Sequence, residues 1–230
     1  MIMYEIINSC DQGDWVFIQR EIVYWKINPN HSPWRYMNQA LKIDIEQTIG
    51  RILTPQEYED LAHFFKFRRV PKNVFLNIPG DVCKETYFVL KGAAYSYVTD
   101  EKGHKNVFRL AIENMWLSDL SSFLSGRPSK WTLETLEPTD LLYISREDAE
   151  ASYDVLTFMD RYFRIRFQYA YIALQERIMD MYTTSAADRY QAFAKANPEI
   201  IQRMPQYLIA SFLGIQPESL SRIRRRISEP

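Results

Sequence analysis

The residues best suited to chemistry with a partner lie near the end of the chain, in a segment that begins at Pro217. At 100° per residue, Glu218 and Arg222 share one side of a helix, roughly opposite Leu220. Arginine can pair bidentately with O6 and N7 of guanine, and glutamate can accept a hydrogen bond from N4 of cytosine. The spacing therefore predicts that Glu218 and Arg222 read base edges in the major groove of double-stranded DNA.

Other polar residues surround these two. An alternative interpretation is a solvated basic surface, in which the glutamate and the arginine form an i,i+4 ion pair worth only a fraction of a kcal/mol. If the segment binds DNA, its remaining polar side chains would support the docking or contact phosphates. The positions predicted for that role are Gln216, Ser219, Ser221, Arg225 and Arg226.

The residues around this segment have the pattern of a helix-turn-helix. Ala210 is small, as needed where two helix backbones approach closely, and Gly214 lies where the turn requires a positive φ. Proline suits a first helical position, so the second helix is predicted to run from Pro217 to about Ser228, with Ile227 on its buried face. The other positions that this corner would bury are all aliphatic: Ile209, Leu213, Ile215, Leu220 and Ile223.

The charge of the chain is concentrated at one end. The formal net charge is −1 over 230 residues, but residues 203–227 hold five arginines and one glutamate, which leaves residues 1–202 acidic. This distribution is typical of a protein in which only the terminal domain meets phosphate. The composition, 47% hydrophobic and 25% charged, excludes a disordered chain.

Cysteine and histidine usage limits the possible cofactors. Cys10 and Cys83 are too few to ligate an iron–sulfur cluster, and His31, His63 and His104 lack metal-ligand spacing. No apolar run reaches the length of a membrane span, and the N-terminus lacks a signal-peptide pattern. We therefore predict a cytoplasmic protein with no metal site, no cofactor and no catalytic residues.

The middle of the chain has the composition of short strands. Thr54, Pro55 and Glu57 first predict a capped helix that runs from Pro55 to about Phe65. Aromatic and β-branched segments separated by turn signals then predict an antiparallel β-barrel or sandwich, within an α+β fold. The predicted strands are 73–78, 87–90, 94–98, 107–112, 131–136 and 141–144.

Beyond residue 153 the apolar period changes to that of a helix. Between Asp154 and Met181 the apolar band is broader than one helix-on-sheet contact requires. We expect this helix to pack on its own barrel and to pair with the same helix of a second subunit, forming a homodimer. The alternative is a core helix of a monomer. A further helix is predicted over residues 185–196 and is broken by Asn197 and Pro198.

These patterns divide the chain into four parts. Residues 37–153 form the predicted β-barrel domain, 154–182 the long connecting helix and 183–230 the helix-turn-helix domain. Residues 1–36 show no clear period. We expect them to be either a poorly conserved extension or sequence upstream of a true start at Met37.

The order barrel, long helix, helix-turn-helix resembles that of the Crp/Fnr family of bacterial transcription regulators, from about Met37 to Ile227. The matching residues are 87–92 (YFVLKG), 100–103 (DEKG) and, most specifically, 214–223 (GIQPESLSRI). The resemblance implies a jelly roll of the kind that binds cyclic nucleotides, and it assigns base reading to Glu218 and Arg222. Pro217 stands where some members carry a further base-reading arginine.

The residues that bind a cyclic nucleotide in this family are degenerate here. The family uses a Gly-Glu pair for the ribose and an Arg-Ser/Thr-Ala stretch for the phosphate. An arginine bonded to a buried phosphate contributes about 1.5–3 kcal/mol, and that arginine is missing from this chain. The positions that align with the family's site are Ser118, Asp119, Ser129, Lys130 and Trp131.

The resemblance leads to one principal functional hypothesis. The chain is expected to bind double-stranded DNA at an inverted repeat as a homodimer, to contact RNA polymerase, and to respond to an effector other than cyclic AMP or to none. One alternative is a ligand-responsive protein-interaction module without DNA binding. The other is a small-barrel cupin enzyme, for which the barrel offers only His104 as a metal ligand.

Overall fold

The computed structural model describes residues 15–18, 22–25 and 39–228. Within these ranges the strands are β1 (Trp15–Ile18), β2 (Ile22–Trp25), β3 (Lys66–Val70), β4 (Phe75–Asn77), β5 (Glu85–Lys91), β6 (Ala94–Thr99), β7 (Lys105–Ala111), β8 (Trp116–Leu117), β9 (Thr132–Thr135) and β10 (Thr139–Ser145). The helices are α1 (Gln39–Ile49), α2 (Pro55–Phe64), α3 (Leu120–Ser125), α4 (Arg146–Val155), α5 (Thr157–Thr183), α6 (Ala186–Ala196), α7 (Pro198–Arg203), α8 (Gln206–Leu213) and α9 (Pro217–Ser228).

The strands form two antiparallel sheets. One has the order β1-β2-β3-β10-β5-β8 and the other β4-β9-β6-β7. A shared core joins them, with Val89 and Leu141 from the first sheet and Ala94 and Leu133 from the second. All six predicted strands are confirmed. The described strands form no closed barrel; they divide into two sheets, which fits the sandwich form of the prediction, a jelly roll.

Strand β3 was not predicted from the sequence because it carries two arginines. Arg68 is buried and donates to both carboxylate oxygens of Glu85, at 2.7 and 2.9 Å. Arg69 is paired in the same way with Asp140. Strands β1 and β2 fall within residues 1–36, and β2 pairs with β3. The rest of that segment lies outside the described residues. So does the prediction that it is either a poorly conserved extension or sequence upstream of a start at Met37.

The capped helix α2 confirms its sequence prediction. The hydroxyl of Thr54 accepts from the amide of Glu57 at 3.2 Å, and the Glu57 carboxylate accepts from the amide of Thr54 at 2.9 Å. This reciprocal arrangement satisfies two backbone donors that would otherwise lack partners at the helix start.

The long helix α5 begins later than the predicted residue 154. Asp154 belongs to α4, and a break at Leu156, with φ −114° and ψ 89°, separates the two helices. The first turns of α5 are anchored by Tyr162, whose hydroxyl donates to Asp44 at 2.5 Å and accepts from Trp116 Nε1 at 2.7 Å. This anchor joins α5 to α1 and to β8.

The four C-terminal helices share one apolar cluster with the second sheet, which α8 contacts directly at β7. Leu208 and Ile209 of α8 share one buried cluster with Tyr95 and Val107, which belong to β6 and β7. The predicted helix over residues 185–196 is confirmed, with Ser185 as its cap. The C-terminal helices and the sheet therefore form one continuous apolar contact.

Candidate nucleic-acid interface

Helices α8 and α9 are joined by a tight turn at Gly214. Its φ is +65°, and its amide donates to the carbonyl oxygens of Ala210 and Ser211. Ala210 is fully buried, as its role at a close approach requires. A Cβ at position 214 would lie 2.9 Å from Cε of Met181 in α5. The turn therefore lies against the end of the long helix.

Helix α9 has one anchored face and one exposed face. Leu220 is buried and Ile223 is half-buried against the same cluster. The prediction that Ile227 is buried is wrong, because 47% of it is exposed at the last turn of the helix. The exposed positions are Gln216, Glu218, Ser221, Arg222, Arg225 and Arg226, and Ser219 is half-buried.

The two predicted base-reading residues do not pair with each other. Arg222 donates to the Ser219 hydroxyl at 3.2 Å, and among the described residues Glu218 forms no ion pair. Ser221 donates to the carbonyl oxygen of Pro217 at 3.1 Å. The ion pair of the alternative interpretation is therefore not formed, and the exposed Glu218 and Arg222 side chains can accept other partners.

Arg189 of α6 ties the helix pair to the end of α5. Its guanidinium donates to the carbonyl oxygen of Leu213 at 3.2 Å and to that of Thr184 at 2.6 Å. Leu213 is the last residue of α8, and Thr184 is the C-cap of α5. The last carbonyl groups of a helix have no hydrogen-bond partner within the helix. One charged side chain therefore sets the angle between the long helix and the turn.

Two polar contacts dock the C-terminal helices on the sheet, and the sequence did not predict either. The Ser211 hydroxyl accepts from the amide of Val107 at 2.9 Å and donates to the carbonyl of Lys105 at 2.8 Å. Arg203 donates to Glu113 at 2.5 Å and also to Glu137. The position of α8 and α9 is therefore set by contacts with β7 and the loops beside it.

Beneath this docking surface lies a buried carboxylate, that of Glu134. It accepts hydrogen bonds from Tyr95 at 2.8 Å, Tyr97 at 2.9 Å and Lys105 at 2.8 Å. Burial acts to raise the pKa of Glu134, but the bonds from Lys105 and the tyrosines outweigh it and hold the pKa below its usual value. The network fixes β6, β7 and β9 at the surface that receives α8.

The positions aligned with a cyclic-nucleotide site bond mainly to one another. Asp119 is buried, caps α3 by accepting from the amide of Ser122 at 3.1 Å, and accepts from the Ser129 hydroxyl at 2.7 Å. Ser129 is also buried and accepts from the amide of Trp131 at 2.9 Å. Ser118 is half-buried beside them. The Asp119 carboxylate is therefore engaged by the protein itself.

The remaining two positions predicted to align with that site have different surroundings. Lys130 is exposed. The ring of Trp131 lies 4.4 Å, between centroids, from that of Phe108 on β7. Trp131 therefore packs against β7.

The second half of α5 exposes an apolar surface. Its first turns are buried, but large apolar side chains are exposed from residue 169 onward: Tyr169, Tyr171, Ile172, Leu174, Ile178, Met179, Met181 and Tyr182. A helix that exposes so many apolar groups is typical of one that packs against a partner.

No helix within the described ranges combines the length and the apolar character needed to cross a bilayer. No three histidine, cysteine or acidic side chains in that part of the chain converge on a point where a metal ion could bind.

Comparison with known proteins places a cyclic nucleotide-binding domain at residues 67–154. No curated protein matches the chain significantly. Among solved structures, the c-di-GMP responsive global regulator CLP of Xanthomonas campestris is 14% identical over 76% of this chain and 91% of that chain, with a TM-score of 0.57. FixK2 of Bradyrhizobium japonicum is 16% identical over 71% and 84%, with a TM-score of 0.58. The Thermus thermophilus catabolite activator protein is 19% identical over 79% and 87%, with a TM-score of 0.50. At these identities the likeness shows a shared fold.

Proposed function

We propose that this chain is a DNA-binding transcription regulator of the Crp/Fnr type, and that it binds an inverted-repeat operator as a homodimer. The observation that carries the proposal is the exposed face of α9, which presents Glu218 and Arg222 while Leu220 anchors the opposite face. The fold shared with regulators and the sequence resemblance at residues 214–223 support the same conclusion.

Base reading is assigned to two exposed side chains, Glu218 and Arg222, that form no ion pair with a described residue. Arg222 is held only by the Ser219 hydroxyl, so its guanidinium can turn toward O6 and N7 of guanine. Glu218 can accept from N4 of cytosine. Each good bidentate pair discriminates against a wrong base by about 1–3 kcal/mol.

Affinity without sequence preference is assigned to the rest of the helix. Arg225 and Arg226 carry positive charge at the exposed last turns of α9, and Gln216, Ser219 and Ser221 offer polar groups around its start. Contacts from such groups to phosphates fix the register of a protein on DNA without reading sequence. Docking by these residues would hold Glu218 and Arg222 at the base edges.

The dimer is assigned to the exposed apolar surface of α5. Two copies that pair through this helix would present two α9 helices to successive major grooves, about 34 Å apart on one side of the duplex. The geometry requires a symmetric site, since a two-fold protein reads the same half-site twice.

The jelly-roll domain, residues 37–153, is proposed to be a sensor domain. We expect it to respond to an effector other than cyclic AMP, or to none. The contact between Asp119 and Ser129 and the packing of Trp131 against Phe108 both support this conclusion. RNA polymerase is the further partner expected of a regulator of this type. Because the proposed ligand is genomic DNA, we place the chain in the cytoplasm. We propose that its role is regulatory and not enzymatic.

Selection of duplexes from a random DNA pool tests this function and yields the half-site. We expect an inverted repeat to be enriched. Its binding constant, measured by fluorescence anisotropy, should fall by on the order of a thousandfold between about 50 and about 200 mM salt if about six phosphates are contacted. If no sequence is enriched and no duplex binds at low salt, the proposal is wrong and a protein-interaction module is the better reading.

A further inference from the structure

A cavity of about 220 Å³ lies where the sensor domain, the long helix and the C-terminal helices meet. Strand β7 contributes Arg109 to its wall, α5 contributes Leu174 and Arg177, and α6 and α8 contribute Phe193 and Phe212. None of the five positions aligned with a cyclic-nucleotide site lines this cavity. Two of its walls carry an arginine, and no described acidic residue lines it.

Arg109 is half-buried and has no acidic partner among the described residues. Its Nε donates to the carbonyl oxygen of Trp116 at 3.2 Å, but within the described ranges it forms no ion pair. Burial lowers the pKa of this guanidinium, and the charges of Arg166 and Arg177 lower it further. Arginine nevertheless stays charged in proteins, so an uncompensated positive charge faces the cavity.

Arg177 adds a second charge from α5. It donates to the carbonyl oxygen of Phe108 at 2.8 Å and lies over the ring of Phe212, 4.6 Å from its centroid. Burial lowers its pKa as well, and it too forms no ion pair with a described residue. Arg166 differs, because Asp44 lies 3.3 Å away and balances its charge.

We propose that this cavity binds a small organic anion, with Arg109 and Arg177 holding its oxyanion group. A charge that is partly withdrawn from water is stabilised by pairing, and an anion that contacts both guanidiniums would pair both. The guanidinium fork matches the geometry of carboxylate and phosphate oxygens. Leu174, Phe193 and Phe212 provide apolar surface for a short apolar body, and the volume limits the ligand to a size below that of a nucleotide.

The site would couple a ligand to the position of the C-terminal helices. Its walls belong to β7, to α5 and to α6–α8, the helices that precede α9. A bound anion would therefore stabilise the arrangement in which these elements meet. This coupling rests on the proposed function, whereas the binding itself does not.

Isothermal titration of the full chain with phenylacetate and phenyl phosphate tests the binding. Phenylacetamide, the neutral counterpart of the first probe, and inorganic phosphate, which lacks the apolar body, serve as controls. We expect saturable binding of at least one anion, about tenfold or more tighter than that of phenylacetamide, since a charge-assisted bond is worth at least that factor. The tighter of the two anions identifies the head group. Equal binding of the amide, or no binding by either anion, would overturn the proposal.

Substitutions assign the site to its arginines. Arg109→Met should weaken the bound anion about tenfold or more, Arg109→Lys should weaken it less, and Arg164→Met, at an exposed arginine of the same helix as Arg177, should leave it unchanged. Without ligand, Arg109→Met should melt no lower than the parent, because it removes a half-buried charge that has no acidic partner among the described residues. This measurement checks that the variant folds. Unchanged binding by Arg109→Met would overturn the assignment.

DNA affinity is measured on the same preparations with and without the anion. A changed affinity supports the coupling, and an unchanged affinity with a bound anion rejects it. If DNA binds but no anion does, the site is rejected while the proposed function stands.

Discussion

The hydroxyl of Ser211 in α8 accepts a hydrogen bond from the amide of Val107 in β7 at 2.9 Å, across 104 residues of sequence. The same hydroxyl donates to the carbonyl of Lys105 at 2.8 Å. The Ser211 hydroxyl thus bonds two backbone groups of β7, the edge strand of the second sheet, as a neighbouring strand would. The first helix of the proposed DNA-binding unit is thereby fixed to the sensor domain.

Ser211→Ala should weaken this docking. It leaves a buried amide and a carbonyl without partners, so we expect the free energy of unfolding to fall by about 1–3 kcal/mol. Ser221→Ala, which removes only an exposed bond within α9, should change it by less than about 0.5 kcal/mol. Denaturant unfolding measures both values. Equal effects of the two substitutions would contradict the role given to Ser211.

The elements that the sequence predicted correctly are those that depend on residues close together in the chain. The helix cap at Thr54, the turn at Gly214 and the six predicted strands depend on neighbouring residues, and the structure confirms them. Strand β3 could not be predicted in this way. Its arginines resemble surface residues until Glu85 and Asp140, distant in the chain, neutralise them.

The candidate sites divide in the same way. The exposure of Glu218 and Arg222 follows from helical period alone, and the structure agrees. The bond between Asp119 and Ser129, the docking of Ser211 and the cavity at Arg109 join segments far apart in sequence. Such contacts depend on how the sheets and helices pack, which no local pattern records.

The buried carboxylate of Glu134 should make stability depend on pH. Its pKa is held below the usual 4.5, so the folded state takes up its proton less readily than the unfolded state. The group therefore stabilises the fold above that value, and the contribution is lost as pH falls through the lowered folded pKa. The difference in unfolding free energy between the parent and Glu134→Gln should be largest near neutral pH and should shrink below about pH 4.5.

Thermal or urea unfolding across that range checks the prediction. Lys105→Met removes the strongest of the bonds that lower the Glu134 pKa, so it should reduce the pH dependence. A difference between parent and Glu134→Gln that stays constant from neutral pH to about pH 3 would contradict the proposed linkage.

Three glycines with positive φ should differ in their tolerance of alanine. At Gly103 a Cβ would meet nothing, and at Gly214 it would meet only the flexible end of Met181. Both substitutions should therefore cost about 1 kcal/mol, the backbone strain alone. At Gly92 a Cβ would lie 2.7 Å from the backbone of Pro138, so Gly92→Ala should cost about 2–5 kcal/mol. Unfolding midpoints would rank them, and a Gly214→Ala loss as large as that of Gly92→Ala would show that Met181 cannot move.

Arg222 and Arg225 should contribute differently to DNA binding. Arg222→Ala should cost about 1–3 kcal/mol on the selected duplex and relax the preference at one base pair. Arg225→Ala should weaken all duplexes evenly and reduce the salt slope by about one. Arg222→Lys, which keeps the charge but loses the bidentate fork, should behave like Arg222→Ala on specificity. If Arg222→Ala lowered the affinity for selected and random duplexes equally, its base-reading role would be wrong.

The exposed apolar surface of α5 should hold the dimer together. Ile172 is 47% exposed there, and in a pair of helices it would be buried against its counterpart. Ile172→Glu would place a charge in that contact and should raise the dimer dissociation constant by about tenfold or more. Ile52→Glu makes the same change at an isoleucine that is 78% exposed outside this surface, and it should have no effect. Sedimentation velocity over a concentration series measures both dissociation constants. If the parent chain stays monomeric, or if the Ile172→Glu variant remains fully dimeric, the subunits do not meet through this surface.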